Sequence, residues 1–226
     1  MAFPRRDIDE VGDILDRTLD VLLQSTAGAT SGRAGSQLRR AVGDLRSNLG
    51  PLLRSGEFTA TLLTCFVTAR TVGINLTWMD NLIDGLFAEV PASVLAAGVV
   101  QVSIVFALSQ EAQIIADTKF TSRNDIDALM ARMKTRFDAA KEIAADAMDS
   151  ACYAALISLA ASVVQHLVKT ARPLPRMVNF MLNASFPSLT VSQRIYGDGS
   201  HSEELLLENK IVHPAFCLPN LRALSA

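Results

Sequence analysis

The side chains that most often bind metals or perform catalysis are few in this sequence and lie far apart. The three histidines, His166, His201 and His213, form no recognisable metal-ligand pattern with one another or with the cysteines. His166 lies in an apolar segment, where a histidine usually belongs to a core or an interface. The sequence has no glycine-rich phosphate loop, no His-Glu-x-x-His motif and no nucleophile elbow. We therefore predict no catalytic residues, no cofactor and no metal site, and we expect that the protein is not an enzyme.

The three cysteines give no sign of redox or zinc chemistry. Cys65, Cys152 and Cys217 are an odd set, and they are spaced too widely for a zinc-binding pattern. Free cysteine is among the residue types that are buried most often. We expect reduced thiols with a structural role.

The charged residues allow one further kind of chemistry, contact with phosphate groups. The chain has 21 Lys+Arg and 23 Asp+Glu, and its net charge of −2 provides no positive field for sequence-independent DNA binding. Residues 33–54 nevertheless contain a local excess of arginine. If the protein contacts DNA, we expect weak binding through four of these side chains: Arg33, Arg39, Arg40 and Arg46.

The elements that must position these residues are predicted to be mainly helices. Half of the residues are hydrophobic and 19% are charged, which excludes a disordered chain. Apolar residues three and four positions apart predict helices at 7–24, 36–47, 62–72 and 76–87. Residues 122–171 are predicted to form one very long helix or two nearly collinear ones. Their apolar seam comprises Ile126, Met130, Met133, Phe137, Ala140, Ala144, Ala147 and Ala151.

Two segments are apolar enough to raise the question of a membrane. No charged residue lies between Glu89 and Glu111, and an uncharged apolar run of this length is typical of a transmembrane helix. Its serine and glutamine residues, its acidic ends and the absence of flanking Lys/Arg or Trp/Tyr favour a buried central helix instead. The segment Ala151–Val168 is apolar on all sides and is predicted to lie between other helices. A membrane-inserting helical protein is the alternative that rests on Val90–Leu108 and Ala151–Val168.

The long run of helix-forming residues ends at Arg172-Pro173-Leu174-Pro175, because two prolines two positions apart do not continue a helix. This predicts a domain boundary at 172–176. We expect a helical domain over 1–171 and a small α+β module over 172–226. Within the module we predict one strand in 177–184 and two short helices, at 188–196 and 202–209. Gly197 is expected to end the first helix in the left-handed conformation, and Ser200 is expected to cap the second with Glu203 as its capping-box partner.

A specific string of residues runs through this module. It consists of Arg194-Ile195-Tyr196-Gly197-Asp198, then Glu204-Leu205, Asn209, His213-Pro214 and Phe216. Over about 174–224 the chain resembles the end of the Mu-like phage DNA-circularisation proteins, which are tail and baseplate components of contractile phages. The same arrangement is similar to a LysM module, a strand–helix–helix–strand unit with Tyr-Gly between its helices and Asn after the second. The resemblance gives structural motif residues and no catalytic ones: Tyr196, Gly197, Asp198, Asn209, Pro214 and Phe216.

The resemblance also implies a function and a location. It implies a structural protein of a phage or prophage tail, made in the host cytoplasm and placed in the virion at the baseplate hub, where the tail tube begins. Its partners would be other tail and baseplate proteins and further copies of itself. The alternative that the family name suggests is a DNA-binding protein that helps to circularise the injected genome.

Overall fold

The computed structural model of the protein describes residues 3–25 and 32–225, and it is mainly helical (72% helix). Its described residues form ten helices and one two-stranded antiparallel sheet. The predicted mainly α fold with a small α+β part at the C-terminus is confirmed at this level. In chain order the elements are α1 (Arg5–Ser25), α2 (Arg33–Ser47), α3 (Leu49–Ser55), α4 (Phe58–Val72), α5 (Leu76–Ala88), α6 (Val94–Asp117), α7 (Arg123–Asp146), α8 (Ser150–Ala171), β1 (Met177–Met181), α9 (Ser188–Tyr196), α10 (Ser202–Glu208) and β2 (Asn220–Leu224).

The chain groups into two compact units. The first unit comprises Met1–Thr118 with Lys134–Val163, and the second comprises Lys119–Met133 with Val164–Ala226. The predicted boundary at 172–176 therefore falls inside the second unit. The reason is visible at the start of α7, where the Arg123 N–H donates to the Pro175 carbonyl (2.9 Å). The Asn124 side chain also accepts from the Met177 N–H (2.9 Å), so the double proline does not separate β1 from α7.

The first unit is built around α6, which packs against α1, α4 and α5. Its start is fixed by two caps: Ser93 Oγ accepts from the Ala96 N–H, and the Glu10 carboxylate of α1 accepts from the Ala92 and Ser93 N–H groups. The expected central helix is thus present. The largest fully buried side chains around it include Leu19, Leu22, Leu38, Leu62, Phe66, Met79, Ile83, Ile104, Leu108 and Ile115.

The long C-terminal helical region is two helices with a sharp stop between them. Met148 has a positive φ of 55°, and the Asp149 N–H donates back to the Ala144 carbonyl (2.9 Å). This bonding pattern closes the end of a helix and does not continue it. The alternative of one continuous helix is therefore wrong. Of the predicted seam, Ile126, Met133, Phe137, Ala140 and Ala144 are buried, Met130 is half-buried, and Ala147 and Ala151 are exposed.

Helix α8 differs most from the expectation. The segment 151–168 is predicted to lie between other helices. In the structure, only 17% of the most apolar 18-residue stretch of α8 is buried. The burial is confined to a few side chains, Leu156, Val163, Leu167 and Ala171. That prediction is wrong for this chain, because an apolar composition does not determine what covers a helix. Within the described residues α6 and α8 are the two helices long and apolar enough to cross a membrane.

The predicted strand and the two predicted short helices are present in the expected order, and β2 forms in the last part of the chain, where the residue patterns predicted no strand. β1 pairs antiparallel with β2, so that Met177 is opposite Leu224 and Met181 is opposite Asn220. The two helices α9 and α10 lie between the strands in sequence; they pack on each other, and α10 also packs on β2. We call residues 177–224 the C-terminal module. Its buried core is Val191, Leu205, Cys217, Leu221 and Ala223.

Candidate functional site

The turn between α9 and α10 contains the first part of the motif. Gly197 has φ 84°, and its N–H donates to the Gln193 carbonyl (3.1 Å), as predicted for a left-handed helix end. A Cβ added to Gly197 would meet no heavy atom within 4 Å. Glycine is therefore required here by the backbone conformation and not by close packing.

The second half of this turn is organised differently from the prediction. Ser200 does not cap α10, because its N–H and hydroxyl both donate to Asp198 Oδ1 (2.9 and 2.5 Å). These bonds hold the pKa of Asp198 below its ordinary value. The residue at the cap position of α10 is His201, which makes no side-chain cap hydrogen bond. The capping-box prediction is wrong because a local carboxylate competes for the same serine.

Tyr196 is half-buried and packs against the core of the module. Its ring lies against the ring of His201, with centroids 4.2 Å apart, and His201 Nδ1 is 3.0 Å from the Glu204 carboxylate. The Tyr196 hydroxyl is buried, and burial, followed by the charge of Glu204, raises its pKa. The hydroxyl end of Tyr196 is therefore buried, whereas the residue as a whole is only half-buried.

Asn209 joins the end of α10 to strand β2. Its Nδ2 donates to the Leu205 carbonyl (2.9 Å) and to the Arg222 carbonyl (2.8 Å), and its Oδ1 accepts from the Arg222 N–H (2.7 Å). Asn209 thereby satisfies a helix-end carbonyl and both backbone groups of one residue of β2. The asparagine of the motif holds the helix and the strand together.

The last part of the motif fixes the return of the chain to the sheet. The Pro214 carbonyl accepts from the Ser188 N–H at the start of α9 (2.7 Å). Phe216 is 66% exposed and lies against the ring of His213, with centroids 5.4 Å apart. It belongs to a set of exposed apolar side chains in the module that also includes Met181, Leu189, Leu207, Val212 and Leu218.

The four arginines proposed as phosphate contacts differ in their surroundings. Arg33, Arg39 and Arg40 are exposed on α2. Arg46 forms ion pairs with Asp16 and Asp20 of α1, both at 2.7 Å, and these carboxylates compete with any phosphate.

In the part of the chain that the structure describes, the remaining histidine, cysteine and acidic side chains form no metal-binding cluster. No group of three or more His, Cys, Asp and Glu residues able to hold a metal occurs in residues 3–25 and 32–225. Burial, together with the nearby Asp44, raises the pKa of Cys65 to about 11, and burial also raises the pKa of Cys217. These two thiols stay protonated and unreactive at neutral pH.

Sequence reasoning missed a buried ion cluster in the first unit. Arg136 of α7, whose side chain is 7% exposed, donates to Asp80, to Asp84 Oδ1 (2.7 Å) and to the fully buried Glu111 Oε1 (2.9 Å). Burial lowers the pKa of Arg136, but hydrogen bonds to Asp80 and the charge of Glu111 outweigh it and leave the pKa above its ordinary value. One signal was available in the sequence: Arg136 lies three residues after Met133, on the apolar seam of α7.

The arrangements described above hold the protein together and leave apolar surface exposed. One such surface is an open groove of about 480 Å³ in the first unit, with a lining that is mainly apolar and includes Phe3, Leu53, Phe58, Val94, Leu95 and Val102. Because this lining is mainly apolar, the groove would bind an apolar side chain of another protein better than a polar substrate. Neither a protein-family model nor a curated protein sequence matches the chain.

Proposed function

We propose that this chain is a non-enzymatic structural protein of a contractile phage or prophage tail, placed at the baseplate hub where the tail tube begins. The observation that supports this best is the strand–helix–helix–strand module, in which residues of the tail signature form the organising contacts. Gly197 ends the first helix, Asn209 joins the second helix to β2, and Pro214 accepts from the start of α9. The module corresponds in this proposal to a LysM-like unit that docks on neighbouring proteins.

The exposed apolar surface supports a role in an assembly. Side chains such as Val212 (98% exposed) and Leu207 (80% exposed) place hydrocarbon in water on the C-terminal module. Apolar surface is covered by other proteins in assemblies, and in the proposal neighbouring subunits cover these side chains. In the proposal the partners are other tail and baseplate proteins and further copies of this chain, and the function is mechanical.

The test is association with tail particles. Prophage induction in the source cells, followed by sedimentation and mass spectrometry, should find this chain in the tail fraction after a high-salt wash. The Asn209→Ala variant should be lost from the particles, whereas Asn183→Ala, which changes an exposed asparagine of the same module, should be retained. Absence of the wild-type chain from purified tails would refute the proposal.

A DNA-binding role is the second candidate, supported by the exposure of Arg33, Arg39 and Arg40 on one helix. Binding to a duplex should be weak, should fall steeply with salt and should show no sequence preference. Fluorescence anisotropy from 50 to 300 mM salt, with the triple alanine variant as control, measures this. Tight, salt-insensitive binding would favour circularisation of the injected genome over the structural role.

Membrane insertion is the third candidate, supported by the apolar and mainly exposed helix α8. Its polar residues, such as Gln165 and His166, and the Ser/Gln content of α6 argue against it. We expect alkaline carbonate to release the chain from membranes of expressing cells. Resistance to this extraction would favour the membrane over a protein partner.

A further inference from the structure

Helix α8 presents a row of large apolar side chains that residues 3–25 and 32–225 leave partly exposed. Tyr153, Ile157, Val164 and Val168 are each between 39% and 45% exposed. Their spacing of 4, 7 and 4 residues places them on one side of an α-helix along about 22 Å. All four lie on one continuous helix, so their arrangement follows from helical geometry alone.

The row is self-complementary when it is read in the opposite direction. If two copies of α8 pack antiparallel, Tyr153 of one copy faces Val168 of the other, and Ile157 faces Val164. The twofold axis then passes between Ala160 and Ala161, whose small side chains allow two helices to approach closely. A closed twofold interface has this correspondence, because a contact between residue i of the first copy and residue j of the second is repeated between residue j of the first and residue i of the second.

The charges at the ends of α8 favour the same antiparallel pairing. Asp149 precedes the helix and Arg172 follows it, and both are exposed. Antiparallel pairing with the axis given above brings Asp149 of one copy beside Arg172 of the other. Lys169 in the last turn of α8 adds to the positive charge of Arg172, and antiparallel helix dipoles also attract. Parallel pairing would put like charges together at both ends.

We infer that α8 is an interface between two copies of this chain, which pack antiparallel about Ala160 and Ala161. This deepens the proposed function, because it names a second copy as one of the partners. This inference and the proposed function can be refuted separately. A chain that is monomeric in solution and still enters tail particles would refute the α8 interface and leave the tail function standing. A chain that forms a dimer through α8 but never associates with tails would refute the tail function and leave the interface standing.

The first experiment measures the oligomeric state of the full chain. Sedimentation velocity should show a dimer for the wild type, and Val164→Lys should raise its dissociation constant at least tenfold. Val212→Lys is the matched control, because it places the same charge on an exposed valine outside α8 and should leave the dimer intact. Circular dichroism must show that both variants are folded. A monomeric wild type, or a dimer unaffected by Val164→Lys, overturns the inference.

The second experiment tests the orientation by disulfide formation in a Cys152→Ser background. Ile157→Cys mixed with Val164→Cys should form a mixed disulfide, whereas each variant alone should not link to itself. Ala161→Cys, next to the axis, should link to itself. The opposite pattern, with Ile157→Cys and Val164→Cys each linking to themselves, indicates parallel helices and overturns the inference.

A charge exchange completes the test. Arg172→Asp and Asp149→Arg should each weaken self-association, because each places like charges at both ends of the pair. A mixture of the two variants should form heterodimers in preference to either homodimer, since both contacts are again between opposite charges. Statistical mixing of the two variants overturns the antiparallel arrangement.

A vesicle experiment tests whether the α8 surface binds a bilayer and not a second copy. Partition of the wild type into phosphatidylcholine vesicles in place of dimer formation overturns the inferred interface in favour of a bilayer.

Discussion

Replacing Asn209 by alanine removes the hydrogen bonds that connect the end of α10 to β2. The side chain donates to the Leu205 carbonyl in a partly buried position, and it exchanges two hydrogen bonds with the backbone of Arg222 at an exposed edge. Asn209 has a φ of −94°, so the substitution introduces no change in backbone strain. The effect therefore measures the hydrogen bonds themselves.

The magnitude follows from the exposure of these groups. A net hydrogen bond contributes about 0.5–1.5 kcal/mol, and exposed backbone groups regain water when their partner is lost. The Leu205 contact at about 1 kcal/mol and the two Arg222 contacts at about 0.5 kcal/mol each give a loss of about 2 kcal/mol. This corresponds to an increase of about 30-fold in the opening equilibrium of the C-terminal module.

Hydrogen exchange of the full chain is the appropriate assay, read by mass spectrometry on peptides that cover 218–225. The single tryptophan, Trp78, lies in the first unit, so its fluorescence during urea unfolding reports on the other part of the chain and should not change. Asn209→Asp is the isosteric variant. It should be at least as destabilising as alanine, because a carboxylate oxygen replaces the amide donor and faces two carbonyl oxygens.

Asn183→Ala serves as the matched control and should leave exchange of these peptides unchanged, since Asn183 is exposed in the same module. If Asn209→Ala leaves exchange of β2 within twofold of wild type, the asparagine does not hold the strand. The main structural support for the proposed module would then be lost.

Further predictions concern the turn, the ion cluster and pH. Gly197→Val should destabilise the C-terminal module by about 1–2 kcal/mol through backbone strain at φ 84°, measured by hydrogen exchange. Gly43 lies in the middle of α2, and a Cβ added there meets no heavy atom within 4 Å. Gly43→Ala should therefore raise the urea midpoint of the first unit slightly. Arg136→Met should cost about 3–5 kcal/mol in urea unfolding because it removes the cation that pairs with the buried carboxylate of Glu111, and adding Glu111→Leu should recover much of the loss. Hydrogen bonds from the Ala92 N–H and then Ser93 hold the pKa of Glu10 below its ordinary 4.5. The contribution of Glu10 is therefore complete above about pH 4.5 and is lost as pH falls through its folded-state pKa. The Glu10→Gln variant should flatten the fall in urea midpoint between pH 5 and pH 3, and an unchanged slope would contradict this assignment.

Local signals in the sequence predicted most of the helices and the first strand, but not α3 or β2. The spacing of apolar residues predicted α1, α2, α4 and α5 within a few residues of their observed bounds. Gly197 ends α9 in the left-handed conformation, as predicted, and Gly73 ends α4 in the same way, because only glycine adopts this conformation without a steric penalty. Ser122 also accepts from the Asn124 N–H at the start of α7, as a capping residue should. These features depend on residues that are neighbours in sequence.

Contacts between distant residues were decided only by the tertiary structure. Arg136 meets Asp80, 56 positions away, and Asn209 meets Arg222, 13 positions away. The sequence contained the cation and the carboxylates, but only the packing of α5, α6 and α7 makes them partners.

The exposure of α8 was decided in the same way. Its sequence fixes an apolar helix of 22 residues, and periodicity shows which side chains share a face. Periodicity does not show what lies against that face, because burial depends on the position of every other element. The fold covers Leu156 and Leu167 and leaves Ile157 and Val164 in contact with solvent. The helix was determined by local composition, and its free surface was determined by packing.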